Sequence, residues 1–413
     1  MKKVFVQMGG GLGCVSRTLP ILKELKKHGY EIKYSGFKSA DSYMEKLGIK
    51  KISEHFDFTD RNHVNPIADW SCPEQFWEIM GYSNESWIEK KLSQLIPILE
   101  EYKPDLIISD LGLLAWLVAR IMKIKLITVT QGCYHPEREF KNFRFWDDSV
   151  KNNLNFTLKN LINKFLNKYR VSQIDTFEEV FTGDLTLIAS YKEIDKTISD
   201  VENKYNSKYI GPMLYDEESD VTSYEKFFFQ DSKKNIFCYT GRFYDHVGKS
   251  GEIVFRNIIK AFYNKEKRVI VAVGGKEDER IGKEILKEEY PDCNNIMVTD
   301  FVPMKFAYSK AGIVIHHGGH GSCLAQTRYC TPSLIIPSHS EREYNAWLFN
   351  RLNFAEVLTL DLLSAENICN KIDLLSNTDL YRNRLIEFNK KVEHEDYVGV
   401  DKAIALIEGL FHD

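Results

Sequence analysis

The stretch Ala311-Gly312-Ile313-Val314-Ile315-His316-His317-Gly318-Gly319-His320-Gly321-Ser322-Cys323-Leu324-Ala325-Gln326 decides how this chain folds. Its first five residues are an apolar run that reads as a buried strand, and Cys323 to Gln326 read as the first turn of a helix. A glycine-rich turn joins them. Glycines let backbone approach a ligand closely, and the first N–H groups of a helix have no intrahelical acceptor, so such a strand–turn–helix is an anion site. A His and a Ser at the same turn add side-chain donors for a phosphate. One helix later, Thr331-Pro332-Ser333-Leu334-Ile335-Ile336-Pro337 reads as a further strand, followed by Glu341-Arg342-Glu343-Tyr344-Asn345-Ala346.

Working outward, strand and helix alternate. Strands are expected at 4–7 and 30–35, with a glycine loop at 9–13 and a helix at 15–27 between them; Leu19, Ile21, Leu22 and Leu25 form its apolar side, and His28-Gly29 ends it. Such a unit calls for parallel pairing through a helical crossover. It recurs with strands at 105–109, 125–130 and 185–190 and a helix at 111–122; Tyr209-Ile210-Gly211-Pro212 then marks a break. Strands return at 236–239, 268–273, 295–299, 312–315, 333–336 and 356–358. The expected division is an acceptor-binding domain over 1–214, a polar linker over 215–234, a donor-binding domain over 235–395, and a C-terminal helix within 396–413 returning to the first domain. Two alternating modules mean two doubly wound α/β domains, whose ligands bind beyond the carboxyl ends of the strands, here in the cleft between them.

The 413 residues suit two large domains, and 43% hydrophobic content is enough for ordinary cores. A net charge of −4 gives no reason to expect nucleic acid as a partner. None of the eight cysteines forms a Cys-x-x-Cys pair, so no zinc cluster or disulfide framework is indicated, and scattered thiols fit a cytoplasmic protein. The apolar stretch after Met1 is too short for a signal peptide, and no run reaches the roughly 20 apolar residues of a membrane span. Residues 141–170 mix aromatics and lysines, with Leu154, Leu158, Leu161, Ile162, Phe165 and Leu166 at helical spacing. An amphipathic helix packed on the first domain is expected there, in preference to a membrane-facing patch.

Residues 301–346 resemble the nucleotide-sugar signature of family 1 glycosyltransferases, the UDP-glycosyltransferase-like enzymes, in a bacterial form. The likeness lies in Phe301-Val302-Pro303, the His-x-Gly-x-Gly-Ser turn from His317 to Ser322, the spacing of Pro332 and Pro337, and the closing acidic-x-x-x-Asn-Ala from Glu341. The resemblance implies the glycosyltransferase B (GT-B) architecture, two Rossmann-like domains facing a cleft. It implies that His317 contacts the donor diphosphate, with Gly318, Gly319 and Gly321 giving close backbone and Ser322 a hydroxyl. By the same token Phe301 would stack on a pyrimidine, Val302 would pair with it through backbone groups, and Thr240-Gly241-Arg242 would cover the phosphates. Glu341 falls where the family holds sugar hydroxyls, and Arg342 stands where a Gln is usual.

The first loop, including Gly13, also looks like that family. There a His acts as general base and an Asp orients it. Asp110 matches the Asp, but Cys14 occupies the His position, and a thiol cannot take that role. Asp110 acting directly, a base from His135 or His63, an acceptor acidic enough to need little help, and a catalytically weak member of the family are the competing accounts. The implied activity is inverting, metal-independent transfer of a sugar from a UDP- or dTDP-sugar to a hydroxyl or amine of a small, partly apolar acceptor such as a natural product. The nucleotide sugar would be a co-substrate, with no further cofactor, and the protein a monomer or homodimer. The aromatics over 56–87 are expected to line the acceptor pocket. Alternatives are an auxiliary nucleotide-sugar-binding protein, a transferase acting on a lipid-linked acceptor, and an epimerase or hydrolase on the same fold. A dinucleotide-binding reading of Gly9-Gly10-Gly11-Leu12-Gly13 lacks its third glycine and leaves 301–346 unexplained.

Overall fold

Alternate residues of the first strand, β1 (Lys3–Met8), serve two cores: Val4, Val6 and Met8 enter one apolar cluster and Phe5 the other. A strand buried on both faces belongs in a parallel sheet covered by helices on each side. The computed structural model describes residues 1–9, 11–36, 40–53, 70–146, 157–197, 204–215, 219–244 and 248–411, and contains two such sheets.

The first sheet comprises β1, β2 (Glu31–Ser35), β3 (Lys50–Lys51), β4 (Leu106–Asp110), β5 (Lys125–Thr130), β6 (Leu185–Ile188) and β7 (Ser207–Tyr209), in the order β3-β2-β1-β4-β5-β6-β7. Its helices are α1 (Leu12–Lys27), α2 (Asp41–Lys46), α3 (Pro73–Ile79), α4 (Glu85–Tyr102), α5 (Leu113–Met122) and α6 (Leu158–Lys168). After α7 (Thr222–Phe227) comes the second sheet: β8 (Asn235–Tyr239), β9 (Arg268–Ala272), β10 (Ile296–Thr299), β11 (Ile313–His316), β12 (Ser333–Ile335) and β13 (Ala355–Val357), in the order β10-β9-β8-β11-β12-β13. Between and after these strands run α8 (Ser250–Phe262), α9 (Lys276–Glu289), α10 (Met304–Lys310), α11 (His320–Tyr329), α12 (Ser340–Arg351), α13 (Ala365–Ser376), α14 (Leu380–Val392) and α15 (Val400–Gly409). All ladder pairs are parallel. The strand order reverses between β1 and β4 and between β8 and β11, and those switch points are where such sheets open a ligand crevice.

Several expectations change in detail. The first helix starts at Leu12, earlier than its apolar stripe suggested, and β7, which the sequence reading did not include, ends at Tyr209 where the break was read. The polar segment 219–234 is more than a tether: Tyr224 donates to the Phe301 carbonyl at 2.8 Å, and the Phe228 ring lies parallel to Phe306 at 6.1 Å. Helix α6 buries Leu158, Ile162, Phe165 and Leu166, while Lys164 and Lys168 pair with Glu85 and Glu89 of α4. Its basic face is thus engaged with protein carboxylates. Among the described residues no helix is long and apolar enough to cross a membrane. The expected acceptor-lining Trp70, Trp77 and Trp87 are instead buried in the largest core cluster, because indole area gains most from full removal from water. Phe56, Phe58 and His63 lie outside the described residues.

Helix α15 packs on α1, placing Ala403, Ile404 and Ile407 in the core of the first domain. The returning chain is fastened where the outgoing chain leaves. Gly399 N donates to the Ile210 carbonyl at 2.8 Å, and a Cβ on Gly211, whose φ is +85°, would lie 2.8 Å from atoms of Tyr397. Gly211→Ala is therefore expected to lower stability by about 1–3 kcal/mol, read as a shift of the urea midpoint with unchanged slope.

Candidate active site

The turn after β11 is shaped from inside by His316. Its ring is buried; Nδ1 accepts from Gly318 N at 3.1 Å and Nε2 meets Gln326 Oε1 at 3.3 Å. Burial lowers this imidazole to about 4, so it is a neutral fixture of the loop. Asn345 Nδ2 holds the Gly318 carbonyl at 3.0 Å, and Gly318 takes a φ of +84° with no room for a Cβ against the Arg342 carbonyl. A Cβ on Gly319 would sit 2.9 Å from His317 Nε2, so the glycine leaves space for that ring.

His317 projects from this turn. Its ring meets Tyr239 edge-on at 5.0 Å, and Nδ1 is buried without a hydrogen-bond partner. Burial, then Arg342 and His316, hold it well below the usual imidazole range. The loop after β8 closes over it, with the Cβ position of Gly241 at 4.0 Å from Nδ1. Thr240 is buried, its hydroxyl on the Gly241 carbonyl at 2.8 Å, while Arg242 is exposed. Helix α11 begins at His320, so the N–H groups of His320, Gly321 and Ser322 have no intrahelical acceptor. Gly241, His317 and the start of α11 thus converge, and an anion there would meet helix-end N–H groups and an imidazole. Phe301 follows β10 at the same carboxyl end of the sheet and is 46% exposed, while Val302 is buried.

Glu341 faces the first domain. Its carboxylate accepts from Gln131 Nε2 at 3.0 Å and from the Tyr134 hydroxyl at 2.9 Å. Arg342 Nη1 donates to Ser338 Oγ. Neighbouring contacts also cross between the domains: Trp70 N donates to Ser340 Oγ at 2.9 Å, Trp146 N to Glu343 at 3.0 Å, and Arg144 pairs with Glu343 at 3.2 Å. Phe145 stacks on Trp347 at 4.3 Å.

On the other wall, Asp110 ends β4 beside Gly9, whose N–H bonds the Asp110 carbonyl at 2.8 Å. The carboxylate is fully buried and clamped by Arg17, with Nη2 at 2.7 Å and Nε at 3.1 Å; Thr18 adds a bond at 3.2 Å. Burial pushes its titration up while Arg17 and Thr18 pull it down. With both oxygens occupied, Asp110 is not arranged as a free base. Cys14 lies against the same pair, Sγ 3.7 Å from Arg17 Nη2, and burial followed by the Asp110 charge keeps it a thiol. Gly13 stands exposed in the first turn of α1. His135 is spoken for, bonding Ser207 Oγ through Nε2 at 3.0 Å and accepting from Glu137 N at Nδ1. His320, buried to 7% exposure, is depressed by burial and then by Arg17, and its Nε2 has no partner.

Arg17, Thr18, Gln131, Tyr134 and Asp195 were not singled out from the sequence. Arg17 carried a signal: it falls on the apolar stripe of α1 with Cys14, Ile21 and Leu25, where a cation needs a buried partner. Asp195 carried none. It accepts from Gly132 N at 2.6 Å, fixing the turn that bears Gln131 and Tyr134, while its other oxygen is unpartnered and burial raises it to about 7.

Two outcomes follow from these buried charges. Arg17→Met should cost about 3–5 kcal/mol by stranding Asp110, and Asp110→Asn added to it should recover much of that in chemical denaturation. Asp195 is protonated in the fold up to about 7 but ionised in the unfolded chain above its ordinary 3.8, so its contribution to stability falls as pH rises through that window. Asp195→Asn should therefore gain on wild type by up to about 1.4 kcal/mol per pH unit there and level off above it.

Known proteins resemble this chain at two levels. A profile of the glycosyltransferase family 28 C-terminal domain matches residues 252–398. An uncharacterized glycosyltransferase of Methanosarcina acetivorans is 22% identical over 394 residues, covering 93% of this chain and 92% of the relative. A UDP-N-acetylglucosamine–N-acetylmuramyl-(pentapeptide) pyrophosphoryl-undecaprenol N-acetylglucosamine transferase of Clostridium botulinum is 31% identical over 112 residues, 27% of this chain and 28% of that one. Among solved structures, the calicheamicin glycosyltransferase CalG4 superposes with a TM-score of 0.72 at 17% identity, covering 99% of this chain and 98% of that one. The profile found is that of family 28, and the family 1 likeness of 301–346 is consistent with it. The chain is a glycosyltransferase of GT-B architecture, and residues 252–398 of its second domain are similar to the family 28 C-terminal domain.

Proposed function

We propose that this glycosyltransferase moves a sugar from a UDP- or dTDP-sugar to a hydroxyl or amine of a small, partly apolar acceptor, inverting the anomeric centre in one displacement. The observation that carries the reading is the convergence of Gly241, His317 and the free N–H groups of α11 on one site. Donors aimed where the leaving diphosphate gathers charge supply stabilisation without a metal, and charge-assisted hydrogen bonds of this kind are worth roughly 1.5–3 kcal/mol each. Phe301 offers its exposed ring to the pyrimidine, and exposed Arg242 a cation to the phosphates. The nucleotide sugar is then a co-substrate and needs no further cofactor. The acceptor side of the cleft is formed by the ends of β1 and β4, beside Gln7, Met8, Tyr82, Leu111 and Leu113.

A lipid-linked acceptor is the second reading, favoured by the local likeness to the undecaprenol-dependent transferase. Release of nucleoside diphosphate from a panel of UDP- and dTDP-sugars tests both readings, with phenolic and alcohol acceptors in one arm and a polyprenyl-diphosphate sugar in the other. Acceptor-stimulated release is expected in the first arm, with His317→Ala lowering kcat by about 10²–10³. Stimulation only in the second arm would transfer the assignment to the lipid-linked class. Donor binding without release in either arm would make the chain an auxiliary protein.

A further inference from the structure

The glycosyl-transfer reading requires a group to accept the proton of the attacking acceptor, and a buried imidazole with one nitrogen unpartnered stands at the start of α11. His320 opens α11, at the start of the helix whose free N–H groups form the anion site. It is 7% exposed, and its Nε2 has no hydrogen-bond partner. A buried polar atom left unsatisfied is costly, by about 1–3 kcal/mol, and calls for a ligand or a role. Helix α11 packs on α1 of the other domain, whose Arg17 charge acts on His320 and is itself paired with Asp110 beside Cys14; the Glu341 charge acts on Arg17 and Cys14 in turn. His320 thus stands at the seam where donor site and acceptor wall meet.

The other candidates near that seam are occupied. Both Asp110 oxygens are bonded, both His135 nitrogens are bonded, Cys14 is a protonated thiol, and His316 holds the turn. His317 sits under the Gly241 loop on the phosphate side. We propose that His320 is the general base of this enzyme, a catalytic residue contributed by the donor domain. In the tautomer protonated at Nδ1, Nε2 takes the acceptor proton as the acceptor O–H bond breaks. The oxygen pair forms the bond to the anomeric carbon, and the electrons of the breaking C–O bond leave with the diphosphate. Burial, and after it Arg17, keep the imidazole neutral beforehand, and the diphosphate at the helix start favours the imidazolium that the transfer creates.

The proposal depends on the acceptor's acidity, which gives a selective test. With the UDP-sugar that wild type turns over best, phenol needs its proton removed, whereas 2,4-dinitrophenol is already ionised at neutral pH. His320→Gln should lose about 10²–10⁴ in kcat on phenol and less than about tenfold on dinitrophenolate, with UDP affinity retained as proof of folding. Equal losses on both acceptors would overturn it. So would the selective pattern arising from His63→Gln or His339→Gln while His320→Gln behaves as wild type. Calorimetry supplies a readout that needs no acceptor. UDP binding to wild type, measured in buffers of different ionisation enthalpy, should be accompanied by proton uptake that His320→Gln reduces, and unchanged uptake would sink the assignment. Absence of UDP binding to wild type would instead bring down the glycosyl-transfer reading on which the assignment rests.

Discussion

A helix that starts where a buried parallel strand ends leaves backbone N–H groups with no partner in the chain. In this protein that constraint falls at β11 and α11, and the local sequence is arranged around it. His316 ties the turn from within, Asn345 holds the Gly318 carbonyl, and two glycines leave the space that the His317 ring and the Arg342 backbone occupy. The open donors cannot be quenched by the fold itself, because sheet and helix directions aim them into the cleft. An anionic ligand is the group they are suited to receive.

The opposite wall meets a different demand. Arg17 and Asp110 are buried together, so each makes the other tolerable, and the net gain in stability from such a pair is small. Its consequence is electrostatic. The carboxylate that would otherwise face the acceptor is neutralised, and a cation is brought beside His320. Glu341 adds a second link between the walls through its bonds to Gln131 and Tyr134.

Much of this was legible in the sequence where the signal is local. The strand–helix alternation and the glycine turn after β11 are carried by neighbouring residues, so periodicity and glycine placement were enough to find them, whereas Phe301 was singled out by the family resemblance alone. The Arg17–Asp110 pair joins residues 93 positions apart, and Asp110 read alone matched the family's orienting Asp, with a direct base role among the competing accounts. An arginine on the apolar stripe of α1 was the available warning. Gln131 and Tyr134 gain meaning only when two domains face each other, which no local pattern encodes. Composition could not separate an aromatic pocket from an aromatic core, so Trp70, Trp77 and Trp87 were misplaced. Strands as short as β3 and β7 give alternation too few residues to register.

The bond from Gly399 to Ile210, with Tyr397 packed against Gly211, has a mechanical meaning. The polypeptide passes between the domains twice, and the two passages are pinned to each other at one corner. A pair of bodies joined by two adjacent tethers can swing about that corner like a door on its post, but one cannot slide along the other. Any rotation about that corner would keep the ends of β8 and β11 on a single arc relative to the ends of β1 and β4.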